Sequence, residues 1–245
     1  MLRENRFSRY LVYAIGEIVL VVIGILIALQ VNNWNQQMKN DRLETGYYCR
    51  LLEDLQQDVE QNDRLIEQAT ARLKASNQAI RLLQQEGATK IAVGEQMGLA
   101  VKAIYVDFKP SNSTFEDLRS SNLNIIKDKD VIKSLNDYYN NMESLKSIIM
   151  VNGRNAVDIA FAHDDGFATG GTQASLLHGN LKNGLEQDVY DALPLDTITV
   201  LTDAMRTRLL NEALVYVSSN ARQLELYNTL KEHTARTVEL LRKKC

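Results

Sequence analysis

The chain begins with a long apolar run and then becomes polar with helical periodicity. From Tyr10 to Leu29, Leu, Ile and Val fill 13 of 20 positions, and Glu17 is the only formal charge. Twenty helical residues measure about 30 Å, the thickness of a bilayer's hydrocarbon core. The apolar side chains contribute about −4 to −8 kcal/mol to insertion, against a cost of about 3 kcal/mol for one acidic residue. The pattern therefore predicts a transmembrane helix over residues 10–31.

A cleaved signal peptide is the competing interpretation, because three arginines precede the apolar run: Arg3, Arg6 and Arg9. The run exceeds the usual apolar region of about 7–15 residues, and no small-residue cleavage site follows it. An uncleaved anchor is therefore favoured. The arginines outnumber the nearest cations after the run, Lys39 and Arg42. Positive charge on the cytoplasmic side then predicts a cytoplasmic segment 1–9 and an extracytoplasmic domain 32–245.

One stripe of the apolar helix combines small residues with a carboxyl group. Heptad spacing places five residues on this transmembrane stripe: Ala14, Glu17, Val21, Gly24 and Ala28. Gly24 and Ala28 form a small-xxx-small pair, which lets helix backbones approach closely in lipid. The stripe is therefore predicted to contact a second copy or a partner membrane protein. Glu17 has three readings: an assembly residue, a proton- or ion-handling group in an oligomeric pore, or a tolerated side chain that reaches toward the interface.

The polar remainder has the periodicity of long helices. Helices are predicted over 39–86, 95–106, 129–162 and 195–244, with a short capped helix that begins at Ser113. The first of these carries a seam with alternating spacings of 4 and 3: Leu55, Val59, Asn62, Ile66, Ala69, Leu73, Ser76, Ile80 and Leu83. Five glycines in 163–194 predict an irregular connection there.

These elements predict an all-α fold. No helix breaker lies between Trp34 and Tyr47, so the transmembrane helix is expected to continue into the first helix of the bundle. The long helices then form an antiparallel, coiled-coil-like bundle on a stalk. The roughly 210 residues beyond the anchor suffice for one domain with its own core.

Composition excludes one class of partner. Beyond residue 29 the chain has 25 Lys and Arg against 29 Asp and Glu, a net charge of −4. Nucleic-acid binding calls for a concentrated basic surface, so a nucleic-acid partner is not expected.

Motifs for catalysis or metal binding are weak. The three histidines, His163, His178 and His233, have no zinc-like spacing. The segment His163-Asp164-Asp165 is more simply a solvated helix end than a cation site, and Gly170-Gly171-Thr172 lacks the lysine of a phosphate-binding loop. The sequence contains no motif that would arrange its serine, histidine and acidic residues into a catalytic triad. We expect no enzymatic activity, no cofactor and no metal.

The two cysteines form a candidate disulfide. Cys49 lies shortly beyond the predicted membrane exit, and Cys245 follows the last predicted helix. If that helix, about 75 Å long, runs back toward the membrane, Cys245 returns near the level of Cys49. In an oxidising compartment the two could pair, within one chain or between chains. A buried Cys49 with a frayed Cys245 is the simpler alternative.

Two segments carry a resemblance to a known family. Residues 13–30 read YAIGEIVLVVIGILIALQ and residues 32–35 read NNWN; residues 113–123 read STFEDLRSSNL, followed by Ile126-Lys127. Both segments resemble motifs of an uncharacterised family of single-pass bacterial membrane proteins. A glycine expected near the second serine of the later motif is absent here. The resemblance implies an envelope location in a gram-negative bacterium, at the inner membrane with the C-terminal domain in the periplasm, and no catalytic activity.

Two functions follow as expectations. The first is a membrane-anchored helical scaffold or sensor that oligomerises and presents its bundle to a partner, with an unknown small-molecule ligand left open. The second is an oligomeric channel or an ion-coupled, energy-transducing subunit in which Glu17 is the working residue.

Overall fold

The apolar run and the first helix of the bundle are one element. The computed structural model describes residues 4–105, 108–121, 123–162, 179–193 and 200–245. Helix α1 extends from Glu4 to Leu83, 80 residues, or about 120 Å. No proline interrupts it, and Gly46 lies within the helix without ending it. The expected continuity of anchor and bundle is therefore observed.

The remaining elements are also helical. They are α2 (Lys90–Val101), α3 (Ser113–Ser121), a 3₁₀ turn (Leu123–Ile125), α4 (Lys129–Phe161), α5 (Asn180–Gly184), α6 (Gln187–Asp191) and α7 (Asp203–Arg242). The described ranges contain no β-strand, although Thr89 and Val200 form an isolated bridge. The all-α prediction is confirmed.

Two predicted helix boundaries shift because of local capping. Helix α2 begins at Lys90 rather than 95, because the Thr89 side chain accepts a hydrogen bond from the Ala92 N–H. It ends at Val101, shortly before Ala103, whose φ of 54° is incompatible with a continuing helix. Helix α7 begins at Asp203 because Thr202 caps it in the same way.

The predicted irregular connection, 163–194, is only partly described. Two short helices, α5 and α6, lie within it. Residues 163–178 and Pro194 fall outside the described residues, as does the predicted start of the last helix at 195–199.

The bundle is organised around the antiparallel pair of α1 and α7. Helix α4 packs on α7, while α2 and α3 pack on α1. The core lies in two clusters along this pair. The cluster nearer the apolar run includes Leu51, Leu55, Leu135, Tyr138 and Leu230; the distal cluster includes Leu83, Met97, Ile104, Ala213 and Tyr216. Residues 10–43 of α1 are all exposed, although Asp41 contacts Lys127, and full burial begins at Tyr47.

The predicted seam of α1 is half right. Its line of Leu55, Asn62, Ala69, Ser76 and Leu83 is buried as expected. The second buried line, however, lies one residue earlier than predicted: Asp58, Leu65, Arg72 and Ala79. The predicted line of Val59, Ile66, Leu73 and Ile80 is only half-buried. This half of the prediction was wrong because the buried line includes two charged residues, Asp58 and Arg72, which have polar partners across the helix interfaces.

Candidate functional site

The transmembrane stripe lies on the exposed part of α1. Each of its five residues is exposed along the unaccompanied helix. A methyl group added at Gly24 would meet no atom within 4 Å, and the same is true at Gly16, about 120° around the helix from the stripe. Both positions can therefore be enlarged without a clash inside one chain. Mean hydropathy and length make this helix, of all the described helices, the one able to span a membrane.

The base of the bundle is closed by a covalent bond. Cys49 of α1 and Cys245, just beyond α7, form a disulfide with a Cα–Cα distance of 4.9 Å. The bond connects positions 196 residues apart in the sequence. Since Cys49 belongs to the helix that continues into the apolar run, the end of α7 is fixed directly to the stalk.

Ion pairs surround this bond. The Lys127 ammonium contacts the carboxylates of Asp41 and Glu44, and the Lys127 backbone N–H donates to Glu44 Oε1 at 2.7 Å. Lys244 Nζ lies 2.9 Å from Asp128 Oδ2, and this hydrogen bond lowers the pKa of Asp128. These contacts connect α1, the start of α4 and the end of α7, so three segments meet where the bundle joins the stalk.

A buried polar network lies halfway along the bundle. Arg72 Nε donates to Asn220 Oδ1 at 2.9 Å, and Nη2 donates to Gln223 Oε1 at 2.7 Å. The Asn220 amide donates to the Ala100 carbonyl at 3.0 Å, and the Gln223 amide donates to the Ile104 carbonyl at 2.8 Å. The network therefore fixes the end of α2, and the residues after it, onto the α1–α7 pair.

The charge of Arg72 is accommodated without a carboxylate. Its side chain is 4% exposed, and within the described ranges no acidic group lies at ion-pairing distance from it. Burial lowers the pKa of the guanidinium. The amide oxygens of Asn220 and Gln223 supply the hydrogen bonds that such a buried cation needs.

A second buried polar group, Asp58, positions the segment before α3. Asp58 accepts hydrogen bonds from the Ser111 N–H at 2.8 Å and the Tyr138 hydroxyl at 2.7 Å. Asp54, one turn earlier, accepts from the Thr114 N–H at the start of α3. The predicted capping motif is thus served by a carboxylate of α1, because Ser113 already lies inside the helix.

Asp58 gives the first testable prediction. Burial raises its pKa above 3.8, and the hydrogen bonds from Ser111 and Tyr138 offset part of that rise. A carboxyl group with a raised folded-state pKa stabilises the fold most below the unfolded value, and this contribution falls as pH rises through the folded pKa. Asp58→Asn should therefore gain stability relative to wild type as pH increases upward from about 3.8. Melting temperatures recorded across this range measure the difference.

A companion variant checks the cause of this pH dependence. Tyr138→Phe removes a hydrogen bond that lowers the pKa of Asp58, so its melting temperature should fall more steeply with rising pH than that of wild type. Parallel curves for wild type and Asp58→Asn would contradict the assignment.

The described residues offer little for metal binding or catalysis. They contain no group of three or more His, Cys, Asp or Glu side chains able to hold a metal. His233 contacts Asn141 at 3.2 Å in an open groove of about 290 Å³ between α4 and α7. His163 and His178 lie outside the described residues, as does the Gly170-Gly171-Thr172 segment.

Sequence reasoning placed the polar residues Asn62 and Ser76 on the buried seam but missed the buried charged residues Asp58 and Arg72. Asp58 and Arg72 are 14 residues apart, two heptads, and they continue the spacing of the buried line through Leu65 and Ala79. A heptad search that allowed charged residues would have found this line. Their partners Asn220 and Gln223 carry no local signal, because their role depends on the antiparallel register.

Comparisons with known proteins give one match. Neither the curated proteins nor the solved structures contain a match to this chain. A family model aligns with residues 17–143, just over half of the chain. The matched region includes Glu17, Cys49 and the buried residues Asp58 and Arg72, but it does not include α7. The chain belongs to a family of unknown function, DUF6090.

Proposed function

We propose that this protein is a membrane-anchored helical scaffold or sensor of the bacterial envelope that acts by oligomerising and by binding another protein. The observation that carries the proposal is the unbroken helix from the apolar run into the bundle. An anchor on a flexible linker would only tether the domain. A continuous helix also transmits orientation, so the way the transmembrane helices of an oligomer pack would determine how its bundles are arranged.

The proposed location is the inner membrane, with the N-terminal arginines in the cytoplasm and the bundle in the periplasm. Positive charge before the apolar run supports this orientation. The Cys49–Cys245 disulfide also supports it, because such bonds persist in oxidising compartments and are rare in the cytoplasm. If the bundle is periplasmic, Cys49 and Cys245 should be disulfide-bonded in intact cells.

The transmembrane stripe provides the experiment. In Gly24→Leu, the added side chain should separate neighbouring helices and convert the oligomer to a monomer in mild detergent, because small residues permit close helix approach. Gly16→Leu is the matched control: it adds the same side chain to the same helix away from the stripe and should leave the oligomer intact. Size-exclusion chromatography with light scattering measures both masses. Equal masses for wild type and Gly24→Leu would contradict the proposal.

Glu17→Gln separates the two candidate functions. This substitution keeps a hydrogen-bonding side chain on the stripe and deletes the charge. A scaffold should retain its oligomer and its partner binding. Loss of proton or ion flux in reconstituted vesicles, with the oligomer intact, would favour the channel or energy-coupling alternative instead.

A further inference from the structure

Between the apolar run and the bundle, α1 passes through a segment that the rest of the chain leaves uncovered. Every residue from 32 to 43, here called the juxtamembrane segment, is exposed. Among the described residues, the first ion pair that this part of α1 makes with another element is the contact of Asp41 with Lys127. The segment is about 18 Å long, so a helix packed against it would meet between three and four turns of α1.

The composition of the juxtamembrane segment does not favour an isolated helix. Four of its twelve residues are asparagine: Asn32, Asn33, Asn35 and Asn40. Asparagine ranks well below alanine, leucine and lysine in helix propensity. Most helical stability in proteins comes from the packing of one face rather than from propensity. The segment is nevertheless helical, and a packed face would supply the stability that its residues lack.

The heptad spacing of the transmembrane stripe continues into this segment. Alternating steps of 3 and 4 from Ala28 reach four residues, here called the stalk seam: Val31, Asn35, Met38 and Arg42. All four are exposed. With Ala28 at heptad position a, Val31 and Met38 take position d, and the two polar residues take position a. One line along α1 therefore joins the transmembrane stripe to the stalk seam.

The seam ends where the bundle begins. Two further steps, through Thr45, reach Cys49, whose bond to Cys245 places the end of α7 against this side of α1. A second helix that follows the seam must diverge from α1 before that level. Arg42 favours divergence at this point, because two copies of its guanidinium would repel each other across the seam.

The residues of the stalk seam are complementary to a second copy of themselves. All copies that span one membrane in one direction hold Asn35 at the same height, about 6 Å beyond Val31. An asparagine amide both donates and accepts hydrogen bonds, so Asn35 can pair with its equivalent across a twofold axis. Met38, an unbranched and adaptable side chain, can pack on its own equivalent in the same way. A second copy therefore matches both the height and the polar position by symmetry.

We propose that the stalk seam forms a parallel, two-stranded coiled coil with a second copy of this chain, and that Asn35 sets the number of strands at two. The inference deepens the proposed function and rests on it, because it takes the transmembrane stripe as an interface between copies. Asparagine at position a specifies the oligomer state of a coiled coil at a cost in stability, and in a dimer the two amides satisfy each other. The anchors hold the copies close, which supports a coil this short.

Cysteine cross-linking in the full chain tests the coil. Asn35→Cys and Met38→Cys should each give a disulfide-linked dimer on non-reducing gels after mild oxidation of membranes, because a and d side chains face each other in a parallel coil. Gln37→Cys and Asn40→Cys are the matched controls. They place the same thiol on exposed positions of the same segment, away from the seam, and should remain monomeric.

A polar-to-apolar substitution tests the number of strands. Asn35→Leu removes the self-pairing amide, so a single dimer in mild detergent should become a mixture of dimers and larger oligomers. Gln37→Leu makes a similar change away from the seam and should leave the dimer as the single species. Size-exclusion chromatography with light scattering measures both masses.

Four results would overturn the coiled coil. They are equal cross-linking at seam and control positions, no cross-linking at either seam position, a wild-type mass larger than a dimer, and an unchanged dimer in Asn35→Leu.

A failure of the proposed function gives a different pattern. If the copies meet only within the membrane, Gly24→Leu lowers the oligomer mass while Asn35→Cys and Met38→Cys stay monomeric, which rejects the coil alone. If Gly24→Leu leaves the mass unchanged while the seam cysteines still cross-link, the transmembrane stripe is rejected as the interface and the coil is supported.

Discussion

Replacing Cys49 and Cys245 with serine should lower the free energy of unfolding by about 4–5 kcal/mol. The disulfide closes a loop between positions 196 residues apart, and a cross-link of this length removes much of the entropy of the unfolded chain. Leu241, fully buried one turn before Cys245, keeps the end of α7 packed on α1. The variant should therefore retain its fold and lose stability. Urea unfolding followed by circular dichroism measures the loss.

Several controls belong with this measurement. Cys49→Ser alone should unfold like the double variant, because either substitution removes the bond. Reductant should shift wild type toward the variant and leave the variant unchanged. Thiols trapped with N-ethylmaleimide in intact cells should show both cysteines unavailable for labelling. Free thiols in cells would contradict both the bond and the periplasmic orientation.

Asn220→Leu should cost about 3–5 kcal/mol. The substitution preserves side-chain size but removes the acceptor of Arg72 Nε and the donor to the Ala100 carbonyl. A buried charged donor left unsatisfied carries its full desolvation cost, which exceeds that of a neutral group. Asn211→Leu is the matched control, since it makes the same change at an exposed position of α7 and should alter stability by less than about 0.5 kcal/mol.

The double variant tests whether the buried charge causes this loss. Adding Arg72→Leu to Asn220→Leu removes the uncompensated cation, so the double variant should be more stable than Asn220→Leu alone. A double-mutant cycle from urea unfolding gives the coupling energy between the two sites. Additive losses would show that packing, rather than the charge, determines the cost.

The sequence predicted the helical architecture for clear physical reasons. The apolar run of 20 residues exceeds what a soluble core helix needs, and two prolines in 245 residues leave the long helices uninterrupted. The continuity of α1 followed from the absence of proline between Trp34 and Tyr47, where a single glycine, Gly46, does not end the helix. These signals are local, so they can be read without knowing which helices pack together.

The polar interior could not be predicted in the same way. The predicted seam did not include Arg72, and a charged residue is almost never fully buried unless it is paired. Its acceptors, Asn220 and Gln223, are 148 and 151 residues away in the sequence. Only the antiparallel packing of α1 against α7 brings them together. The shift of the buried line from Val59 to Asp58 has the same origin.

Under the proposed function, α1 runs from the membrane into the bundle without a break, so it would act as a rigid lever. Leu83 stands 51 residues beyond Asn32, or about 76 Å along the helix axis. A change of about 10° in the tilt of the anchor would therefore carry the far end of the helix sideways by about 13 Å, slightly more than the width of a helix. Torque applied at the anchor would likewise turn the whole bundle, since no hinge on α1 is present to absorb the rotation.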